Sequence, residues 1–352
     1  MLDFIKEKTD SWEFLRNTEL PVFIYGMGDG AEKILRVFEM YSIPVAGFFA
    51  SDEFVRGHSF KGHLVHSLSQ IEALIDEFVI VLAFGAGYES LYRRIEDMAR
   101  RHILIAPDVP VVGDGLFTYG YCLENADKIQ RVYDLLADDM SRKTFADVIN
   151  FRISGKTEYL TSCTAERSEI FGRIMKFGAD EVYIDMGAYN GDTVAEFAQM
   201  ASYRHIYAVE PDTKNFRKLT KNCGEMENVT LVNAAAYSED TELVFDDLSG
   251  RNSRIDNGEN KKTRSVKAVR GDSLTEHATL IKMDVEGAER DAIEGCRQSL
   301  INGSQLICAL YHRTDDIFEL PLMIHDIAPD LKLYMRHLLY IPAWETNLYC
   351  VR

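Results

Sequence analysis

The chain has 352 residues, with 39 lysines and arginines against 56 aspartates and glutamates, a net charge of −17. That balance excludes a protein that tracks nucleic-acid phosphates, which needs the opposite sign. Its length suggests about two domains, each with enough apolar residues to bury a core. The start, MLDFIKEKTDSWEF, has no apolar core like that of a secretory signal. The most apolar stretch, FVIVLAFGAG at 78–87, is too short to span a bilayer and reads as a buried strand. A cytoplasmic protein with no membrane or nucleic-acid partner is expected. Cys122, Cys163, Cys223, Cys296, Cys308 and Cys350 are scattered with no C-x-x-C pair, so neither zinc nor a disulfide framework is expected, and Cys223, Cys296 and Cys308, in helix-like or strand-like runs, read as buried thiols.

In chain order, the first strand–glycine–helix start is PVFIYGMGDGAEKILRVFEMY at 21–41. Gly26, Gly28 and Ala31 form a G-x-G-x-x-A pattern, and a second strand, IPVAGFF, ends near Asp52, where dinucleotide folds place a ribose-binding acid. Asp29 and Glu32, in and just after the turn, disfavour a pyrophosphate. A substrate-presenting or oligomerising role therefore ranks above nucleotide binding. HSFKGHLVH, with His58, His63 and His66, reads as a solvated loop rather than a metal site. A strand–turn–helix at 77–99 and the strand HILIAP follow. This alternation predicts a parallel α/β domain over 1–120. A helical connector is assigned to 121–178.

A second start opens at VYIDMGAYNGDT, residues 182–193, and heads a longer alternation over 179–352. Strands are expected at HIYAVEP (205–211), VTLVNAA (229–235), SVKAVRG, TLIKMDVEG (279–287) and QLICALYHR (305–313), after a polar excursion at 237–265. Helices are expected at 191–200, 213–223, 288–301 and 315–327, and the strands LKLYMRH and ETNLYCV close the chain. This is the plan of a seven-stranded, doubly wound sheet ending in a hairpin-like pair.

In such sheets ligands bind beyond the carboxyl ends of the strands, at the reversal of strand order. The residues there are Asp185, Gly187, Ala188, Tyr189, Gly191 and Asp192 after the first strand, Glu210 and Pro211 after the second, and Asn233 and Ala234 after the third. Asp284, Val285, Glu286 and Gly287 follow the fourth, and Tyr311, His312 and Arg313 the fifth. A ring of acids repels a pyrophosphate. S-adenosylmethionine carries a sulfonium and an ammonium and no phosphate, so it suits an acidic, glycine-lined cleft. Glu210 is placed to accept both ribose hydroxyls, and the glycines let the backbone approach the ligand.

The stretches IDMGAYNGDT (184–193), YAVEPD (207–212) and IKMDVEGAE (281–289), with the tail LYHRTDDIFELPLMI…LKLYMRH…ETNLYCV, resemble the FkbM-type S-adenosylmethionine-dependent methyltransferases over about 180–352. The resemblance implies a class I methyltransferase fold, preceded here by a smaller Rossmann-like domain, and O-methylation of a sugar or polyketide hydroxyl in many members. Tyr189 departs from the wider superfamily, which has a glycine at that place.

Methyl transfer from a sulfonium is an in-line displacement, so positioning supplies much of the rate. A hydroxyl acceptor also benefits from a base. His312 is the first candidate because its unperturbed pKa lies near neutrality. Asp284 is expected to orient the sulfonium end or the acceptor, and Glu286 is a rival base. No metal is assigned, since Asp284 and Glu286 alone give too few oxygens. Lys282 is expected to pair with an acid. Arg313, Arg336 and His337 could bind an anionic acceptor such as a nucleotide-linked sugar. The oligomeric state is left open, a homodimer included. Two rivals remain, a nicotinamide-dependent oxidoreductase using Gly26–Asp52 and a non-catalytic S-adenosylmethionine-binding scaffold. The first lacks a Tyr-x-x-x-Lys or histidine pair, and Asp185, Glu210, Asp284 and His312 together argue against the second.

Overall fold

A computed structural model of the protein describes residues 2–51, 55, 57, 59–246 and 263–352. Asp52 and His58 lie outside the described residues. The chain divides into two compact units. One comprises Met1–Asp134, Asp138–Ala165 and Met335–Thr346, the other Leu135–Ala137, Glu166–Tyr334 and Asn347–Arg352. The stretch assigned as a connector is thus shared, with Leu135–Ala137 and the residues from Glu166 onward in the second unit and the rest in the first.

The first unit is built on six strands: β1 (Val22–Tyr25), β2 (Gly47–Ala50), β3 (Ser59–Phe60), β4 (His63–Ser67), β5 (Val79–Leu82) and β6 (Ile103–Ile105). Their order is β3-β4-β2-β1-β5-β6, parallel except for β3 against β4. β1, β2 and β5 are buried along their whole length, the pattern of a parallel sheet covered on both faces. The helix Asp29–Tyr41 turns Ala31, Ile34 and Phe38 onto Ile24, Val81 and Trp12. One expectation needs correction, because His63 and His66 lie in the β3–β4 hairpin rather than in a loop. Lys61 and Gly62, both with positive φ, form the two-residue turn that the twist of a hairpin favours. The helix Asp139–Ser154 is capped by Asp138, whose carboxylate accepts the Ser141 N–H.

The second unit holds β7 (Glu181–Met186), β8 (Tyr203–Val209), β9 (Val229–Val232), β13 (Leu280–Met283) and β14 (Gln305–Ala309), all parallel. A small sheet, β10-β12-β11, is formed by β10 (Ala235–Ala236), β11 (Thr241–Asp246) and β12 (Thr263–Val269). With β15 (Lys332–His337) and β16 (Thr346–Val351) the large sheet runs β15-β16-β14-β13-β7-β8-β9, β16 antiparallel to β14. This is the expected seven-stranded, doubly wound class I fold. The order reverses between β7 and β13, which places the ligand crevice at their carboxyl ends.

Two elements differ from expectation. The strand expected at 229–235 is split between two sheets, β9 and β10. Asn233 holds the bend by donating its amide to the carbonyls of Glu210 and Pro211 at 2.7 and 3.2 Å. The helix expected at 288–301 breaks at Cys296 into Glu289–Gly295 and Arg297–Ile301. The Asp272 carboxylate supplies the second piece with a cap, accepting the N–H groups of Gln298 and Ser299. All six cysteines are free and buried. Among the described residues no helix is long and apolar enough to cross a membrane.

Candidate functional site

β7 delivers Asp185 and then the glycine turn. Gly187 has φ +85°, and a Cβ there would overlap the Asp284 carbonyl oxygen at the end of β13. The N–H groups of Gly187 and Ala188 both donate to the Val209 carbonyl at 3.0 Å, tying the turn to the end of β8. Gly191, with φ +88°, ends the turn and opens the helix Asp192–Met200. Its missing Cβ leaves room for Cys223 Sγ. The turn is therefore a close-packed backbone bridge over β7, β8 and β13, which only glycine at 187 permits.

Asp185 is fully buried, accepts the hydroxyl of Thr193 and lies 3.4 Å from the ammonium of Lys282, its register partner on β13. It fixes the first turn of the helix to the sheet from below. Its charge and hydrogen bond, behind the larger effect of burial, hold the Tyr183 hydroxyl well above its usual pKa. Asp192 is exposed and accepts the Thr193 N–H.

Glu210, at the end of β8, is the acid that faces the turn. Its two oxygens accept the N–H groups of Asp212 at 2.8 Å and Tyr189 at 3.0 Å. Burial pushes its carboxyl up to about 7. Those two N–H groups pull the other way, while Asp212 and Asp185 add to the rise. Tyr189 adopts φ +47°, its ring exposed and 5.3 Å from the Lys218 ammonium. Pro211 is half-buried, Asn233 is exposed with its amide committed to the bend, and Ala234 is buried. These residues collect at one end of β7, β8 and β9.

A second group gathers across the switch point, at the ends of β13 and β14. His312 is 2% exposed, with Nδ1 2.9 Å from Glu289 Oε1 and Nε2 3.4 Å from Asp284 Oδ1 and 3.8 Å from Glu286 Oε2. Burial pulls its pKa down, but Glu289, Asp284 and Glu286 outweigh that and raise it to about 9. At neutral pH the ring is an imidazolium with no vacancy for a proton. The argument for His312 as the base rested on an unperturbed pKa, and the three carboxylates around the ring move it away from that value. Asp284 is 34% exposed in its side chain and Glu286 58%. Asp284 also accepts the Tyr311 hydroxyl with both oxygens at 3.1 Å. Glu286 sits in a left-handed backbone conformation, φ +53°.

Glu289 was not singled out by the sequence, and Tyr311 was placed at a strand end without a role. Glu289 is 1% exposed and its Oε1 accepts the Val285 N–H at 3.0 Å, which buttresses the loop that carries Asp284 and Glu286. Its position in the first turn of a helix, within the stretch IKMDVEGAE, was the available signal. Arg313 donates to the Gly287 carbonyl at 2.8 Å and so braces the same loop. Arg336 and His337 do not join the site. Arg336, 1% exposed, pairs with Asp138 at 2.7 Å within the first unit. His337 is fully buried between the Thr346 hydroxyl and the Tyr340 carbonyl, and burial lowers its pKa to about 4, with the carbonyl opposing. Neither is available to an anionic acceptor.

Residues 185–341 match the family described as the Methyltransferase FkbM domain. A curated relative, the 2-O-methyltransferase NoeI of Sinorhizobium fredii, is 26% identical over 180 residues, covering 44% of this chain and 73% of the relative. Among solved structures, the methyltransferase FkbM of Methylobacillus flagellatus KT superposes with a TM-score of 0.72 at 20% identity, covering 99% of this chain and 95% of the other. At that identity the likeness establishes the fold.

Proposed function

We propose, on the premise that residues 185–341 match the Methyltransferase FkbM domain, that the methyl donor is S-adenosylmethionine and the acceptor a hydroxyl of a saccharide or related small molecule. One observation carries the donor: the carboxylate of Glu210, held at the end of β8 beside the Gly187–Gly191 turn. A carboxylate there can accept both hydroxyls of a ribose, and the turn offers backbone at close range. The acceptor class is supported by the relative named a 2-O-methyltransferase.

The sulfonium has a good leaving group, so the domain's task is to align an oxygen with the methyl and to take its proton. Exposure decides the roles. His312 is buried and protonated, and Glu289 is buried behind it. Glu286 is the most open carboxylate of the cluster, and we assign it the proton. Asp284 orients the acceptor. His312 is a positioning residue whose charge holds both carboxylates in place. Transfer of labelled methyl from S-adenosylmethionine to oligosaccharide acceptors tests this reading. Glu286→Gln should lower kcat at least about a hundredfold with little change in cofactor Kd, the scale of a lost general base. Full turnover in that variant contradicts the assignment.

A further inference from the structure

We propose that Asp284, Glu289 and His312 bind one divalent cation at the carboxyl ends of β13 and β14, through one oxygen of each carboxylate and one ring nitrogen. One ligand atom from each of the three lies within 4.8 Å of the others. Metal bonds of ~2.1 Å to nitrogen and oxygen set neighbouring ligands roughly 3–4 Å apart. The three side chains come from three separate places: the end of β13, the helix Glu289–Gly295 and the end of β14.

Acidic clusters are common without a cation, so a second observation matters. Glu289 Oε2 and His312 Nδ1 are buried and have no hydrogen-bond partner among the described residues. Glu289 is 1% exposed and His312 2%. The 2.9 Å approach of Nδ1 to Glu289 Oε1 falls outside hydrogen-bond geometry. An orphaned buried polar atom is costly, and two of them belong to the residues of this one cluster. A cation shared between them answers both, displacing the proton that the ring carries in the cation-free protein. The mixed nitrogen and oxygen donors suit Mn²⁺, Fe²⁺, Co²⁺ or Zn²⁺, whereas Ca²⁺ and Mg²⁺ prefer oxygen alone. The cation would hold the acceptor hydroxyl and favour loss of its proton, with Glu286 outside the ligand set to take it. That role rests on the methyl-transfer reading; the binding itself does not.

The test uses the full chain stripped with EDTA, dialysed, and titrated with MnCl₂ alone, free Mn²⁺ being read by electron paramagnetic resonance. About one bound equivalent is expected, with affinity falling tenfold or more in Asp284→Asn and in Glu289→Gln. Glu289 is in the core, so circular dichroism checks each variant for folding. Asp284→Asn, half-exposed, keeps the test available if Glu289→Gln fails to fold. Failure of the wild type to bind an equivalent of Mn²⁺ overturns the proposal. So does unchanged affinity in folded Asp284→Asn. No cofactor or acceptor is present, so the result is separate from that of the methyl-transfer assay.

Discussion

The two glycine turns start from the same plan, a buried strand followed by glycines and a helix, yet what faces each turn differs. In the second unit the Gly187–Gly191 turn is faced by Glu210, whose carboxylate takes the Tyr189 N–H and stays raised by burial. In the first unit the switch point between β1 and β5 carries Gly26 and Gly28 on one side and Gly85 and Gly87 on the other. There the Tyr340 ring lies against Gly85 and Gly87, and Ala86 exchanges both backbone hydrogen bonds with Ile341 at 2.7 and 3.1 Å. One turn is faced by a buried carboxylate. The other is packed by an aromatic ring of the same unit. A glycine pattern thus reports how close a backbone approaches, and the neighbour decides whether a ligand or the chain itself uses that approach.

Substitutions can break this contrast, beginning with the largest effect. Gly187→Ala forces a Cβ onto the Asp284 carbonyl oxygen at a φ that alanine resists. A loss of about 3 kcal/mol or more in unfolding free energy is expected, by urea titration, together with loss of turnover. A stable, active Gly187→Ala would show that the turn is not the rigid bridge described. Glu210→Ala removes the acceptor of the Tyr189 and Asp212 N–H groups and of a ribose diol. Its Kd for S-adenosylhomocysteine should weaken roughly 10- to 100-fold, the 1.5–3 kcal/mol of hydrogen bonds to a charged group.

Titration gives a smaller effect with a defined sign. Burial raises Glu210 to about 7, so the unliganded carboxyl is largely neutral at pH 6 and ionised at pH 8. A ribose diol donates to the ionised form, so affinity should tighten by about tenfold between those pH values and then level off. The same shift costs the unliganded fold stability as pH rises from the ordinary carboxylate range through 7. Calorimetry at three pH values would show this, and a flat profile would remove Glu210 from the diol. The smallest effect belongs to the first turn. A Cβ at Gly28 meets nothing within 4 Å and its φ is −91°, so Gly28→Ala should leave stability within about 0.5 kcal/mol and turnover unchanged. A large loss of turnover there would show that the first turn holds a ligand.

Much of this arrangement was legible from local pattern. The strands IDM, YAV and IKM announce themselves as apolar runs, and Gly187, Glu210 and Asp284 follow them directly. What escaped depends on partners distant in sequence. Asn233 splits an expected strand because its amide finds the carbonyls of Glu210 and Pro211. Arg336 and His337 resemble anion ligands by type, but Asp138 and Thr346 take them up in buried contacts. His312 seemed a neutral-pH base until Glu289, Asp284 and Glu286 were placed around it. Residue type and strand position gave its location, and the three carboxylates gave its charge.

The central claim is that Glu210 and its glycine turn bind S-adenosylmethionine while the first turn binds no nucleotide. Isothermal calorimetry of the full chain with S-adenosylhomocysteine and, separately, NAD tests it most directly. The account predicts one equivalent of S-adenosylhomocysteine bound by the wild type, at least tenfold weaker binding in Glu210→Ala, and no heat with NAD. Saturable binding of NAD without S-adenosylhomocysteine would contradict it.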